Sequence, residues 1–321
     1  MRDVTDPQTT SHVTAHGPGR LMLLDTASMY FRAFFGVPEI TGPDGTPVNA
    51  VRGLMDFISR LVDEYEPTHL VCCWDNDWRP QWRVDLIPTY KSHRVVEEVE
   101  SAPDVEEVPD PLQVQVPIIL EVLDAFGITV IGADGYEADD VIGTLATHAG
   151  QPVDIVTGDR DLFQLVDDEA DVRVLYIARG VSKHERVTND WVQEKYAIDA
   201  HQYADFATMR GDASDGLPGV AGVGEKTAAT LLQRFGGVDG IITAALDPDS
   251  NMAPAPRGKI KAALDYLEVA PTVVAVAREI ELDRTDLTLP RTPRDPARVA
   301  ALAATWGLES PTARLLNALG R

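Results

Sequence analysis

Three kinds of residue or segment are scarce in this chain. It has two cysteines among 321 residues, Cys72 and Cys73, adjacent in one apolar run. Neighbours in a strand point to opposite faces, so no disulfide is expected and a reducing, cytoplasmic setting fits. No apolar run approaches the roughly 20 residues that span a bilayer. The first 19 residues are polar and carry no apolar signal core, which predicts a disordered tail over 1–19. Basic charge is also short: 28 Lys and Arg face 51 Asp and Glu, a net charge of −23. That argues against strong nonspecific duplex binding, because a protein that grips phosphates usually has a basic footprint. The seven histidines show no metal-ligand clustering, and His69 reads as structural.

Acid is abundant, and it sits in informative places. Leu21-Met-Leu-Leu runs into Asp25, Leu70-Val-Cys-Cys-Trp into Asp75, and Val153-Asp-Ile-Val-Thr-Gly into Asp159. Buried parallel strands that end in acids place them along one sheet edge, where α/β proteins keep their sites. Carboxylates crowded in this way repel one another unless a divalent ion joins them, and hard oxygen ligands suit Mg²⁺ or Mn²⁺. Metal-dependent chemistry on phosphates is the natural use.

Candidate strands at 21–24, 69–74, 128–131, 153–156 and 172–177 alternate with helical patterns at 28–35, 51–64, 113–126 and 138–148. This predicts an α/β fold with a mostly parallel central sheet flanked by helices, over 20–188. The segment 79–112 interrupts the alternation and reads as a mobile insertion. It begins basic and aromatic, and from Val95 to Pro111 it holds seven acids and no Lys or Arg. From 189 to 321 the pattern is helical, with a short strand expected at 280–282.

Several motifs bear on chemistry. Glu137-Ala-Asp139-Asp140 opens a helix, and three acids in four positions exceed what capping requires. Spacing does not choose between Asp139 and Asp140. Asp159-Arg-Asp161 follows a strand, whereas Asp212-Ala-Ser-Asp215 reads equally well as turn chemistry. Gly219-Val-Ala-Gly222-Val-Gly224-Glu-Lys226-Thr227 offers backbone N–H groups at a helix N-terminus. Glu225 breaks the P-loop order, so a hairpin that holds a nucleic-acid backbone is the better reading. Tyr90-Lys91-Ser-His-Arg94 supplies an aromatic ring and two cations, and as spacing alone it reads equally as an exposed basic stretch.

Together these motifs resemble the flap endonuclease, or 5′ nuclease, family, which includes the N-terminal nuclease domain of bacterial DNA polymerase I. The motifs run from Leu21 to Leu282 and include Asp25 with Tyr30-Phe-Arg32-Ala-Phe. The resemblance implies a PIN-like nuclease core with a helical arch insertion. It also implies a helical C-terminal subdomain with a helix–hairpin–helix-like DNA-binding element. It implies one metal site from Asp25, Asp75, Glu137 and Asp139 and another from Asp159, Asp161 and Asp215, with Asp140 and Asp212 acting through water or as supports. Lys91 and Arg94 would contact the scissile phosphate, Tyr90 would stack on terminal bases, and Arg32, Gly222, Gly224, Lys226 and Thr227 would bind substrate. A K⁺ ion at the Gly219–Thr227 hairpin is implied as well.

The implied substrates are DNA with 5′ flaps, nicks or 5′ overhangs, including RNA-containing 5′ ends. The protein would be a monomer cooperating with a polymerase and a ligase. The tryptophan-rich run Trp74–Trp82, the acidic arch and Gly216 depart from the polymerase-linked form, and no polymerase domain follows Arg321, as in a free-standing paralogue. The acidic stretch 97–110 is expected to disfavour threading of long flaps. Two competing expectations are a DNA-binding protein reduced in catalysis and a PIN-type ribonuclease. The first would lack some of the acids, and the second would lack the hairpin and the helical half.

Overall fold

The computed structural model describes residues 19–97, 103–283 and 286–321. The expected tail over 1–18 and part of the acidic stretch lie outside them. Strands β1 (Leu21–Asp25) and β2 (His69–Trp74) come first, followed by the pair β3 (Val95–Glu97) and β4 (Val105–Glu106). Then come β5 (Thr129–Gly132), β6 (Val153–Thr157), β7 (Val172–Tyr176) and β8 (Glu185–Val187). The main sheet has the order β5-β2-β1-β6-β7-β8. All its pairs are parallel except β7 with β8.

Strand alternation divides the core. Leu21, Leu23, Val71 and Cys73 face one layer with helix Ala138–Thr147. Met22, Leu24, Leu70 and Cys72 face the other with helices Asn49–Tyr65 and Gln115–Phe126. The two cysteines are buried, free and on opposite faces. The chain winds from β1 outward to β2 and β5, then returns to β6 on the other side of β1. The switch point, where open sheets leave a crevice, therefore lies between β1 and β6, at Asp25 and Asp159.

The helical half packs through aromatic edges. Phe163 meets Tyr176, Trp191 and Tyr203 with ring centroids 5.1, 5.5 and 5.2 Å apart. Helices Pro296–Trp306 and Glu309–Leu319 return to cover the opposite face beside helix Asn49–Tyr65.

Two expectations need correction, and one strand was not foreseen. No strand forms at 280–282. The neighbouring chain makes a single bridge instead, Thr288 opposite His69, with Leu70 N–H donating to Leu287 O at 3.0 Å. Strand β8, unforeseen, carries charged residues on an edge and is only three residues long. The insertion is not a helical arch among its described residues. It has one six-residue helix, Gln81–Leu86, then the antiparallel pair β3–β4. Much of it is anchored, with Arg79, Arg83, Tyr90 and Lys91 all buried.

Candidate active site

The strand ends build the site. Asp25 closes β1 and caps the next helix: Ser28 N–H donates to Oδ1 at 3.0 Å and Thr157 Oγ1 to Oδ2 at 2.7 Å. Thr157 Oγ1 also accepts from Asp159 N–H at 2.8 Å, so one hydroxyl ties the ends of β1 and β6 together. Asp75 follows β2 and accepts from Ala138 N–H at 2.8 Å, at the start of the helix that carries Asp139 and Asp140. Asp25, Asp75, Glu137, Asp139 and Asp159 line one cavity of about 230 Å³ with Lys91 and Arg94. Asp161 and Asp215 continue the acidic wall beside Glu137 and Asp139.

Burial with little compensation shapes the electrostatics. The Asp25 carboxyl is pushed up to about 7, first by desolvation and then by Asp75. Burial also raises Asp75, and it raises Asp139 strongly with Asp25 and Asp159 adding to the effect. Asp161 is raised strongly by burial and then by Asp159, and Asp215 is raised by burial. Asp161 Oδ1 is buried with no hydrogen-bond partner. A cluster made of hard oxygen donors, with raised pKa values and an orphaned carboxylate oxygen, fits a divalent cation. Among the described residues, no three acids stand close enough to hold one as they are. Protein cations balance part of the charge instead. Lys91 Nζ pairs with Glu137 Oε2, and Arg94 with Asp215 at 3.3 Å.

Asp139 and Asp140, which spacing left open, have different surroundings. Asp140 is completely buried and takes both Arg83 nitrogens, each at 2.7 Å. It also accepts from Ala277 N–H at 2.7 Å and, closing a capping box, from Glu137 N–H at 3.3 Å. Its oxygens are spent on structure, and Asp139 faces the cavity. Arg83 is the residue that motif reading missed. It stacks on Trp82 at 4.4 Å, donates to Glu137 at 3.1 Å and reaches Val273 O at 3.0 Å. Its cue was the Trp82-Arg83 pair, but its partners lie more than 50 residues away. Asp212 caps a short turn through Ser214 N–H at 2.9 Å and pairs with Arg210 at 3.2 Å.

Tyr90 is 4% exposed and its hydroxyl donates to Glu137 at 2.7 Å, so this arrangement offers no open ring face for a base. Lys91 N–H donates to Asp215 O at 2.9 Å, and Thr89 Oγ1 to Gly216 O at 2.8 Å. Gly216 has φ +70°, and a Cβ there would sit 2.1 Å from Thr89 O. This close approach is a physical reason for glycine at this position.

Arg32 does not line the acidic cavity. It donates to Ala178 O at 2.9 Å on the wall of a groove of about 1060 Å³, which also holds Phe31, Phe35, Arg60, Arg179 and Arg314. The groove shares Ser28 and Phe31 with the acidic cavity. The glycine hairpin precedes helix Glu225–Phe235, with Val220 and Val223 buried and Gly222, Gly224 and Lys226 exposed. Thr227 N–H donates to Gly224 O at 3.0 Å. Lys259 Nζ donates to Gly222 O at 2.7 Å, so a protein ammonium already occupies one hairpin carbonyl.

A mostly parallel sheet with crowded, only partly balanced carboxylates at its switch point, joined to a helical half with a glycine hairpin, defines a metal-dependent nuclease. The chain belongs to the 5′-3′ exonuclease family. Residues 20–197 match the 5′-3′ exonuclease N-terminal resolvase-like domain, and 198–297 match the 5′-3′ exonuclease C-terminal SAM fold. A 5′-3′ exonuclease of Streptomyces coelicolor is 58% identical over 93% of this chain and 99% of its own length. DNA polymerase I of Mycobacterium bovis is 39% identical over 86% of this chain, which matches 29% of that protein. In fold, the chain is similar to the T5 D15 protein co-crystallised with metal ions, with a TM-score of 0.62 and 18% identity over 94% of this chain and 99% of that one. The protein is a nuclease, a phosphodiester hydrolase.

Proposed function

We propose that the chain hydrolyses DNA phosphodiesters at 5′ flaps, nicks and 5′ overhangs, with Mg²⁺ or Mn²⁺ held by two carboxylate groups. The observation that carries this reading is the acidic edge, only partly balanced by protein cations: Asp25 is raised to about 7 in the cavity that also presents Lys91 and Arg94, and Asp161 Oδ1, in the adjoining wall, is left without a partner. Asp25, Asp75, Glu137 and Asp139 would hold one ion and Asp159, Asp161 and Asp215 the other. Asp140 would act only through Arg83, and Asp212 by shaping the loop that carries Asp215. Such ions lower the pKa of bound water and stabilise the leaving oxygen.

The protein's own groups do the rest. Lys91 and Arg94 face the reacting phosphate, and an ammonium and a guanidinium there stabilise charge as it develops. To do so they would exchange their present partners, Glu137 and Asp215, for phosphate oxygens, and a divalent ion would balance those acids in their place. Thr157 fixes the spacing between Asp25 and Asp159. The groove lined by Arg32, Arg60 and Arg179, with Phe31 and Phe35, suits a strand leading to the cavity by pairing phosphates with guanidinium groups and bases with rings, while Arg314 on its wall is held by Asp56. The hairpin Gly219–Thr227 would hold duplex on the other side, and the Lys259 ammonium would do part of what a K⁺ ion at its carbonyls could do. The helical region 189–321 would serve as the duplex-binding subdomain of a monomer working alongside a polymerase and a ligase in the cytoplasm.

Product mapping on 5′-labelled flap, nick and overhang duplexes, in Mg²⁺, Mn²⁺ and EDTA, tests the reading. Short 5′ products released only with metal are expected. Cleavage in EDTA, or cleavage confined to single-stranded RNA, would overturn it.

A further inference from the structure

Strand β4 places an acid where substrate phosphate is expected. Glu106 is half-buried and lines the same cavity as Asp25, Asp75, Glu137, Asp139, Asp159, Lys91 and Arg94. It reaches that wall because its hairpin is fastened. Val95 pairs with Glu106, and Glu107 N–H donates to Arg94 O at 2.8 Å. The base is pinned at Asp104, whose carbonyl accepts from Trp78 Nε1 at 2.7 Å and whose carboxylate accepts from buried Arg79 at 2.5 Å. Burial raises the Glu106 carboxyl, Arg94 and Lys91 pull it down, and Asp75 and Glu137 push it up, so it lies in the field of both the cations and the acids. The proposed metal groups do not use it.

A carboxylate and a phosphodiester are both hard anions, and they compete for the same cations. We infer that Glu106 is a resident stand-in for the reacting phosphate, which faces Lys91 and Arg94 in the DNA-free protein and is displaced when the substrate strand enters. This rests on the reading that the cavity takes a phosphodiester. Glu106 thereby sets how tightly a strand must be held before it reaches the metals. Its effect falls on binding, because in the fully bound complex the phosphate has taken its place in the cavity.

The test uses the full chain and a 5′-fluorescent flap duplex, with binding read by anisotropy in EDTA and cleavage read in Mn²⁺. Glu106→Gln should lower both Kd and KM by about tenfold, the effect of removing one like-charge contact in a partly screened cleft, with kcat unchanged. Glu107→Gln removes the same net charge from the exposed neighbouring position and should change neither. Trp78→Phe, which loses the bond to Asp104 and keeps a ring, should shift Kd in the direction of Glu106→Gln. Unchanged Kd and KM in Glu106→Gln would overturn the inference. So would a fall in kcat together with weaker Mn²⁺ binding, because that outcome makes Glu106 a metal ligand. A wild-type chain that binds the flap and never cleaves it would instead refute the proposed function, while the EDTA binding comparison still decides this inference.

Discussion

At the scale of single residues, the acids sort by what their oxygens already hold. Asp140 is committed to Arg83, so Asp140→Asn or Arg83→Met leaves a buried partner unpaired. Either should cost about 3–5 kcal/mol, read as a lowered midpoint in urea. Asp159→Asn removes repulsion from a crowded site. It should abolish cleavage with thermal stability unchanged or raised, and full activity in this variant would contradict its assignment to a metal. Asp25 gives a pH signature. Its folded pKa of about 7 lies above its ordinary 3.8, so its contribution to stability is present below about pH 4 and is lost as pH rises toward 7. In EDTA, the stability difference between wild type and Asp25→Asn should therefore widen against wild type across that window. Divalent metal should raise the wild-type melting temperature more at pH 7.5 than at pH 5. A flat difference profile would refute the raised pKa.

At the scale of elements, the contact between the insertion and the Gly211–Gly219 loop sets the position of Lys91. Gly216→Ala puts a methyl group on Thr89 O at a left-handed φ, so it should lose activity more than tenfold while the sheet stays intact by circular dichroism. The same contact shows what was legible beforehand. Apolar runs located β1, β2, β5, β6 and β7 within a residue or two, three of them running into an acid, because buried parallel strands have a strong local pattern. Strand β8 was invisible because Glu185-Arg-Val has no such pattern and is held by its pairing with β7. The expected strand at 280–282 failed because a short apolar segment also suits an extended crossing with one bridge. Asp139 and Asp140 could not be told apart because the helical repeat places Glu137 and Asp140 together, and the guanidinium that claims Asp140 comes from 57 residues away. Tyr90 and Lys91 read equally well as surface groups for the same reason: their partner, Glu137, is 47 and 46 residues distant, respectively.

At the scale of the whole molecule, an acidic nuclease must confine its phosphate affinity to particular surfaces. Net charge is −23, yet four arginines share the groove that opens beside the active cavity. Flap affinity should therefore fall with salt as for a protein making only a few phosphate contacts. Arg179→Ala, at an exposed position, should reduce the log–log salt slope by about 1 without altering metal binding. A slope unchanged by that substitution would place the strand elsewhere. The central claim is that the carboxylates at the sheet's switch point form a metal-binding nuclease centre, and counting Mn²⁺ by electron paramagnetic resonance tests it most directly. The account predicts about two ions bound per chain at neutral pH, the number an in-line two-metal displacement uses, with at least one lost in Asp161→Asn. Wild-type protein that binds no Mn²⁺, or an Asp161→Asn variant that binds as many ions as wild type, would contradict it.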